Sequence, residues 1–175
     1  INFETPEVRF VLDKEGNPSE IMFHRSTEAN FLIEEFMLLA NRIVAAEIGM
    51  RGKNEEGKKE ETKPFVYRVH DVPDPEKIVK LGNFIRQFGF HLRTSTKRSV
   101  QNKHINSLLD SCQGTNSQML IETLTIRAMA KAVYSTSNIG HYGLAFPYYT
   151  HFTSPIRRYP DMMVHRLVAR YLLQS

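Results

Sequence analysis

The chain of 175 residues has one cysteine, no tryptophan and no long apolar run. The single Cys112 excludes an internal disulfide, indicates a small buried side chain, and fits a reducing compartment such as the cytoplasm. No window reaches the roughly 18 consecutive apolar residues of a membrane helix, and no secretory signal opens the sequence. We therefore expect a cytoplasmic protein of one domain, without a membrane partner.

Acidic residues are scarce in the second half of the chain. Residues 77–175 hold 13 Lys/Arg and three carboxylates, a net charge of +10, whereas residues 1–76 hold 10 Lys/Arg and 16 Asp/Glu, a net charge of −6. Two windows, 77–109 and 123–160, have no carboxylate at all. Such a surface attracts polyanions, most commonly nucleic acid. The alternative is a basic face that only aids solubility.

Several familiar sites are missing from the sequence. It contains neither a GxxxxGK[ST] nor a GxGxxG phosphate loop. Its seven histidines lack the spacing of zinc ligands. No close group of aspartates of the kind that binds magnesium is present. Asp71 and Asp74 flank Pro73, which is typical of a turn.

Local patterns predict an α+β fold, with an N-terminal antiparallel hairpin and a further strand followed by mainly helices packed on a sheet. Alternating apolar residues over 8–12, a turn at EGNP and a return at 21–23 predict the hairpin. PFVYRVHD predicts the further strand. Helices are predicted at about 28–48, 76–88, 105–111 and 117–134, and from residue 160 or 161. Ser26 or Thr27 would cap the first helix, and Gly49 would end it.

The first helix is apolar nearly all round, which predicts burial on most sides. Its polar exceptions include Glu34 and Glu35. A buried carboxylate needs either a partner or a function. The structural alternative is an ion pair, for example between Glu35 and Arg42.

Two polar segments interrupt the apolar pattern. Residues 51–63 have high charge of both signs and no apolar side chain, which predicts a solvated loop. HLRTSTKRSVQNKH follows the second predicted helix and is basic. It either presents Arg93, Lys97 and Arg98 to phosphates or serves only as a connector.

The stretch HFTSPIRRYPDMMVHR combines the residue types of a phosphate site. Arg157 and Arg158 precede a predicted helix, so their guanidinium forks lie beside free helix N–H groups. Thr153 and Ser154 add hydroxyl donors. Stacking faces for unpaired bases would come from Tyr142, Tyr148, Tyr149 and Phe152. Alternatively, the arginines form surface ion pairs and the aromatic side chains only pack.

The same stretch, extended to HFTSPIRRYPDMMVHRLV, strongly resembles the signature near the end of the RNB catalytic domain of the ribonuclease II and ribonuclease R family. Further blocks are similar to the family in the family's order: AKAVYSTSNIGHYGLAF, EEFMLLANRIVA, PFVYRVHDVPDPEK and INFETPEVRF. The resemblance covers essentially all 175 residues and is loosest at 51–63 and 93–115. Ribonuclease R is the better likeness.

The resemblance implies a 3′-to-5′ hydrolytic exoribonuclease that threads single-stranded RNA through a basic channel and releases nucleoside 5′-monophosphates with Mg²⁺. It assigns Arg157 to the reacting phosphate, with Arg158 and Tyr159 in the same catalytic motif. Thr153 and Ser154 match the rest of that motif and are expected to contact RNA. The charge and aromatic patterns described above add Tyr149, His151, Arg93 and Lys97 as candidate RNA contacts. Glu35 or its neighbour Glu34 matches a carboxylate near the RNA 3′ end, and Phe3 falls near an aromatic that stacks on bases.

The family's magnesium-binding aspartates lie upstream of the INFETPEV block, and its cold-shock and S1-type domains are also absent from this sequence. The resemblance therefore implies that residues 1–175 are the C-terminal part of an RNB domain, with little or no activity alone. One alternative is a non-catalytic RNA-binding or regulatory module that keeps the basic channel. Another is an interaction domain for an acidic protein, which would show only a shallow salt dependence.

Overall fold

The structure is a computed structural model that describes residues 7–24, 26–50, 63–93 and 101–173. Two small antiparallel sheets and five helices confirm the predicted α+β class. The strands are β1 (Glu7–Leu12), β2 (Pro18–His24), β3 (Tyr67–Val69) and β4 (Val133–Ser135). The helices are α1 (Glu28–Met50), α2 (Pro75–Ile85), α3 (Asn102–Cys112), α4 (Gln118–Ala128) and α5 (Tyr159–Leu173). Most of the predicted loop at 51–63 lies outside the described residues.

The predicted N-terminal hairpin is confirmed. Strands β1 and β2 pair antiparallel, with Phe10 opposite Ile21. The Asp13 carboxylate accepts the backbone N–H groups of Glu15 and Asn17 at 3.0 and 2.8 Å. Gly16 adopts a φ of 85°, a left-handed conformation that glycine adopts without steric cost. The turn thus spans residues 13–17, and Pro18 of the predicted EGNP turn already begins β2.

Helix α1 continues to Met50, so the prediction that Gly49 ends it is wrong. A Cβ atom at Gly49 would lie 2.5 Å from the Tyr148 ring. Glycine at this position lets the helix approach the segment that precedes α5. The glycine is therefore explained by close packing of α1 against Tyr148 and not by helix termination.

The prediction that α1 is buried on most sides is also wrong for this chain. Its only buried residues are Asn41, Ala45 and Ile48, all in the second half. The exposed large apolar side chains of α1 are Phe31, Leu32, Ile33, Phe36, Leu39, Ile43 and Met50. The hairpin adds Val8, Phe10, Val11, Leu12, Ile21, Met22 and Phe23. Within the described part of the chain, nothing covers this apolar surface.

The second sheet joins residues far apart in sequence. Strands β3 and β4 pair antiparallel, with Arg68 opposite Tyr134. Tyr67 and Val69 are buried, so Arg68 lies on the other face of the strand. The predicted helix over 117–134 is wrong at its end, because α4 stops at Ala128 and Met129 is already extended with φ −71° and ψ 152°.

Two apolar cores stabilise the chain. One joins α2, α3 and α4 through Ile78, Leu81, Ile85, Ile105, Leu108, Leu109, Cys112, Ile121 and Ala128. The other joins the second half of α1, the β3 region and α5 through Ala45, Ile48, Phe65, Tyr67, Val69, Val164 and Tyr171. Cys112 is buried and free, as predicted. The second core fixes α1 and α5 beside the β3–β4 sheet.

The ends of α2 follow the predicted turn chemistry. Asp74 caps the helix by accepting the backbone N–H of Glu76 at 2.9 Å. A 3₁₀ turn follows over Arg86–Phe88, and Gly89 ends it with a φ of 81°. Among the described helices, none has the length and apolar character that a membrane span needs.

Candidate nucleic-acid interface

A turn over residues 153–158 presents the two arginines before α5, and one buried carboxylate fixes it. Asp161 is fully buried. Its Oδ2 atom accepts the backbone N–H of Ser154 at 2.8 Å and both Nε and Nη2 of Arg158, at 3.1 and 2.7 Å. A single oxygen thus holds both ends of the turn. We call these three residues, Asp161, Ser154 and Arg158, the Asp161 clamp.

Arg158 is committed to this clamp. Its side chain is 20% exposed, and its guanidinium pairs with a carboxylate that has no exposure. A charge-assisted pair in such surroundings is strong and costly to break. The placement of Arg158 therefore favours support of the turn over direct contact with a phosphate.

Arg157 is the exposed arginine of the motif. Its Nη2 atom donates to Ser154 Oγ at 3.4 Å, and its backbone N–H donates to Ser154 O at 3.3 Å. No carboxylate in the described part of the chain forms an ion pair with it. Its guanidinium is thus left with donors for an anion from solution. Tyr159 lies beside it at the start of α5 and is 64% exposed.

The two hydroxyl groups of the motif have different surroundings. Ser154 lies within the clamp and accepts from Arg157. The Thr153 hydroxyl oxygen is buried and has no hydrogen-bond partner among the described residues. Ser154 is therefore the hydroxyl that lies against the exposed arginine.

The segment that leads into the turn is anchored by a buried amide of α1. Asn41 Nδ2 donates to the Tyr149 hydroxyl at 3.3 Å, and Asn41 Oδ1 accepts the Phe152 N–H at 2.8 Å. Tyr149 is only 5% exposed, so its ring supports the turn and has no open face for a base. The rings of Phe152 and His165 stack, with their centroids 4.0 Å apart. Among the polar residues of α1, the structure assigns this anchoring role to Asn41.

His151 links the turn to the β3–β4 sheet. Its Nδ1 atom lies 2.8 Å from the Tyr134 hydroxyl, and its ring meets Tyr134 and Tyr149 edge to face. Burial, and then the positive charge of Arg158, lower the pKa of His151 to about 4. His151 is therefore neutral near pH 7, with one ring nitrogen able to accept from Tyr134.

Stability should fall on mild acidification because of this histidine. The unfolded histidine takes up a proton near pH 6.5 and the folded one near pH 4, so the unfolded state binds more protons between these values. The contribution of His151 to the free energy of unfolding is therefore fully present above pH 6.5 and is lost as the pH falls toward 4. Urea titrations at pH 7.5 and 5.0 should show a smaller drop for His151→Gln than for the unchanged chain. An equal drop in both would contradict the burial effect.

Glu35 and Glu34 lie in different surroundings on α1. Glu35 lines a cavity of about 220 Å³ together with Leu32, Phe36, Leu38, Leu39, Arg42 and Phe146, and Glu34 does not. The suggested ion pair between Glu35 and Arg42 is not formed; the Arg42 guanidinium lies 5.3 Å from the centre of the Phe146 ring. Of the two carboxylates, Glu35 is the one that faces a groove.

Three further predicted RNA contacts lie away from the turn in sequence. Arg93 is exposed and lines a second cavity of about 510 Å³ with His91, His104, Ser107 and Ser111. Lys97 and Phe3 fall outside the described residues. These three assignments stay predictions.

The described residues do not fit a magnesium site. They contain no group of three or more His, Cys, Asp or Glu side chains that could hold a metal ion. Asp161, the carboxylate of the motif, already pairs with Arg158. The site offers an exposed arginine held on a turn, with ring side chains in the segment that leads into it.

An exposed arginine on a turn held by a buried carboxylate, within the basic half of the chain, has donors available for an anion. The chain belongs to the RNB domain family, which matches residues 1–174. It is 41% identical to ribonuclease R of Thermotoga maritima over 175 residues, which are all of this chain and 23% of that protein. The chain thus spans about a quarter of the length of this relative.

Solved structures show the same fold. Mycoplasma genitalium RNase R in complex with ribose methylated single-stranded RNA matches with a TM-score of 0.82 and 29% identity, over 96% of this chain and 24% of that one. Yeast Ssd1, described as a pseudonuclease, matches with a TM-score of 0.63 and 26% identity, over 79% of this chain and 16% of that one. The proteins to which this chain is similar thus include a ribonuclease R and a protein described as a pseudonuclease.

Proposed function

We propose that this chain is the RNA-holding part of a 3′-to-5′ hydrolytic exoribonuclease that degrades single-stranded RNA to nucleoside 5′-monophosphates in the cytoplasm. The observation that carries the proposal is Arg157, exposed and without an ion pair among the described residues, on a turn held by a buried carboxylate. A guanidinium fixed in this way binds phosphate oxygens without first giving up a protein partner. RNase R relatives and a complex with single-stranded RNA support this choice of anion.

The metal ions of the reaction would be held elsewhere in the parent protein, meaning the full-length protein of which we propose this chain is a part. Hydrolysis of phosphodiesters in such sites depends on metal ions that neutralise charge and activate water. The described residues do not supply the ligands, and relatives are about four times longer than this chain. Magnesium bound by upstream aspartates is thus part of the proposal, and the isolated chain should have little or no activity.

With the metal ions bound elsewhere in the parent protein, this chain would hold the RNA in two places. Arg157 would contact the reacting phosphate, with Arg158 acting through the turn. Glu35 would contact the 3′-terminal nucleotide from its groove beside Phe146. A carboxylate accepts hydrogen bonds from hydroxyl groups, so the ribose is its expected partner.

A second candidate is an RNA-binding module without catalysis. The similarity to a protein described as a pseudonuclease supports this second candidate. Both candidates need the same RNA path, so they differ only in the parent protein's metal site. An aspartate cluster upstream of Ile1 supports the enzyme, and its replacement supports the module.

A gel assay with 5′-labelled single-stranded oligo(A) tests the proposal. Incubated with this chain, the RNA should be retarded and should keep its length, both with Mg²⁺ and with chelator. Incubated with the parent protein, it should shorten from the 3′ end only when Mg²⁺ is present. Mg²⁺-dependent shortening by the isolated chain would contradict the assignment of the metal site elsewhere. Absence of retardation would contradict the RNA path itself.

A further inference from the structure

A second cation, Arg68, lies on β3, in the sheet that His151 links to the turn over residues 153–158. Its neighbours Tyr67 and Val69 point into the core, which leaves Arg68 on the outer face of the β3–β4 sheet. Its guanidinium carbon lies 4.6 Å from the centre of the Tyr134 ring, on the strand directly opposite. No carboxylate of the described residues forms an ion pair with it. Like Arg157, it is a positioned cation whose charge the described residues leave unpaired.

Tyr134 and His151 connect Arg68 to the turn. Tyr134 is 39% exposed, and its hydroxyl reaches Nδ1 of His151 at 2.8 Å. His151 is two residues before Thr153, where the turn begins. After burial and the charge of Arg158, the positive charges of Arg68 and Arg157 also lower the pKa of His151. We call the set Arg68, Tyr134, His151 and Arg157 the Arg68 strip.

This arrangement fits a single-stranded nucleic acid better than an isolated anion. Successive phosphates along such a strand are separated by sugars and bases, and the strip combines two cations with two ring side chains. Proteins that hold single strands combine cations that track the backbone with aromatic side chains that contact bases or sugars. A free phosphate would use one cation and leave the rest of the strip without a role.

We propose that Arg68 binds a second phosphate of the RNA strand, one that does not react, and that Tyr134 contacts the nucleotide between it and the phosphate held by Arg157. This inference rests on the proposed function and adds to it a binding site on the β3–β4 sheet. Two phosphates held at fixed separation set the register of the strand. The reacting bond would then be placed by the sheet as well as by the turn.

The test uses the parent protein in chelator, so that RNA binds without cleavage, and a set of 5′-labelled oligo(A) strands. Each strand carries one neutral methylphosphonate, at a different position from the 3′ end. Arg68→Ala should weaken binding of unmodified oligo(A) about tenfold, because a charge-assisted contact is lost. For one of the modified strands, Arg68→Ala should not weaken binding further, since the phosphate charge that Arg68 contacts is already absent from that strand. For Arg157→Ala, the strand on which the substitution has no effect should carry its methylphosphonate at a different position.

The controls separate this inference from the proposed function. Arg170→Ala in the last turn of α5 removes an exposed arginine about 16 Å along the helix from the turn, and should leave binding unchanged. Arg68→Lys keeps the charge and should retain part of the affinity, which guards against a fold effect. Two outcomes would overturn the inference while the proposed function stands. One is normal RNA binding by Arg68→Ala, and the other is that Arg68→Ala and Arg157→Ala have no effect on the same modified strand. Failure of the unchanged protein to bind oligo(A) would overturn both.

Discussion

Arg157→Ala in the parent protein should reduce turnover of oligo(A) about 100-fold or more while weakening RNA binding by less than about tenfold. The proposed contact acts at the reacting phosphate, where negative charge develops as the bond breaks. Removing one positioned donor from such a site typically costs about 100- to 1,000-fold in rate. The rest of the RNA path would still hold the strand, so affinity should change much less.

Single-turnover rates and anisotropy in chelator measure the two effects separately. Arg157→Lys keeps the charge without the planar fork, and should recover part of the rate but not all of it. Arg170→Ala is the matched control, since it removes the same side chain from the far end of α5. Equal losses of rate and affinity for Arg157→Ala would mean that the arginine holds RNA in general and has no special role at the reacting phosphate.

The local elements of this fold were predictable because they depend on short stretches of sequence. The hairpin follows from alternation around EGNP, and the capping of α2 follows from Asp74 and the proline after it. The exposed Arg157 was also within reach, because it precedes a helix in a motif with a clear family likeness. These features need no knowledge of distant parts of the chain.

The long-range contacts that hold the site in place were not predictable in the same way. Arg68 and Tyr134 are 66 positions apart, and only the pairing of β3 with β4 brings them together. The predicted extension of the fourth helix through Tyr134 concealed this pairing. Tyr149 illustrates a second difficulty, because an aromatic residue in a long loop is equally consistent with stacking on a base and with burial against Asn41.

The exposed apolar half of α1 shows a further limit of sequence patterns. Its composition predicts burial, yet Phe36 is 60% exposed in this chain. Periodicity reports which surfaces avoid water, but not which partner covers them. Since this chain spans about a quarter of its relative's length, we propose that other parts of the parent protein cover this surface.

The second large prediction concerns the Asp161 clamp. Asp161→Asn leaves the Arg158 guanidinium largely buried without its carboxylate, and loss of one partner from a buried pair costs about 3 kcal/mol. We therefore expect a clear drop in the free energy of unfolding. At a temperature where the variant is folded, turnover should also fall, because Ser154 loses its charged acceptor and Arg157 is no longer held in one position.

A double-mutant cycle with Arg158→Gln separates the clamp from a general loss of stability. If the two residues act as a pair, the double variant should lose much less than the sum of the two single variants, in both unfolding free energy and turnover. Asp110→Asn makes the same chemical change at an exposed position of α3 and should have little effect on either. Additive losses would show that Arg158 and Asp161 act independently and would contradict the Asp161 clamp.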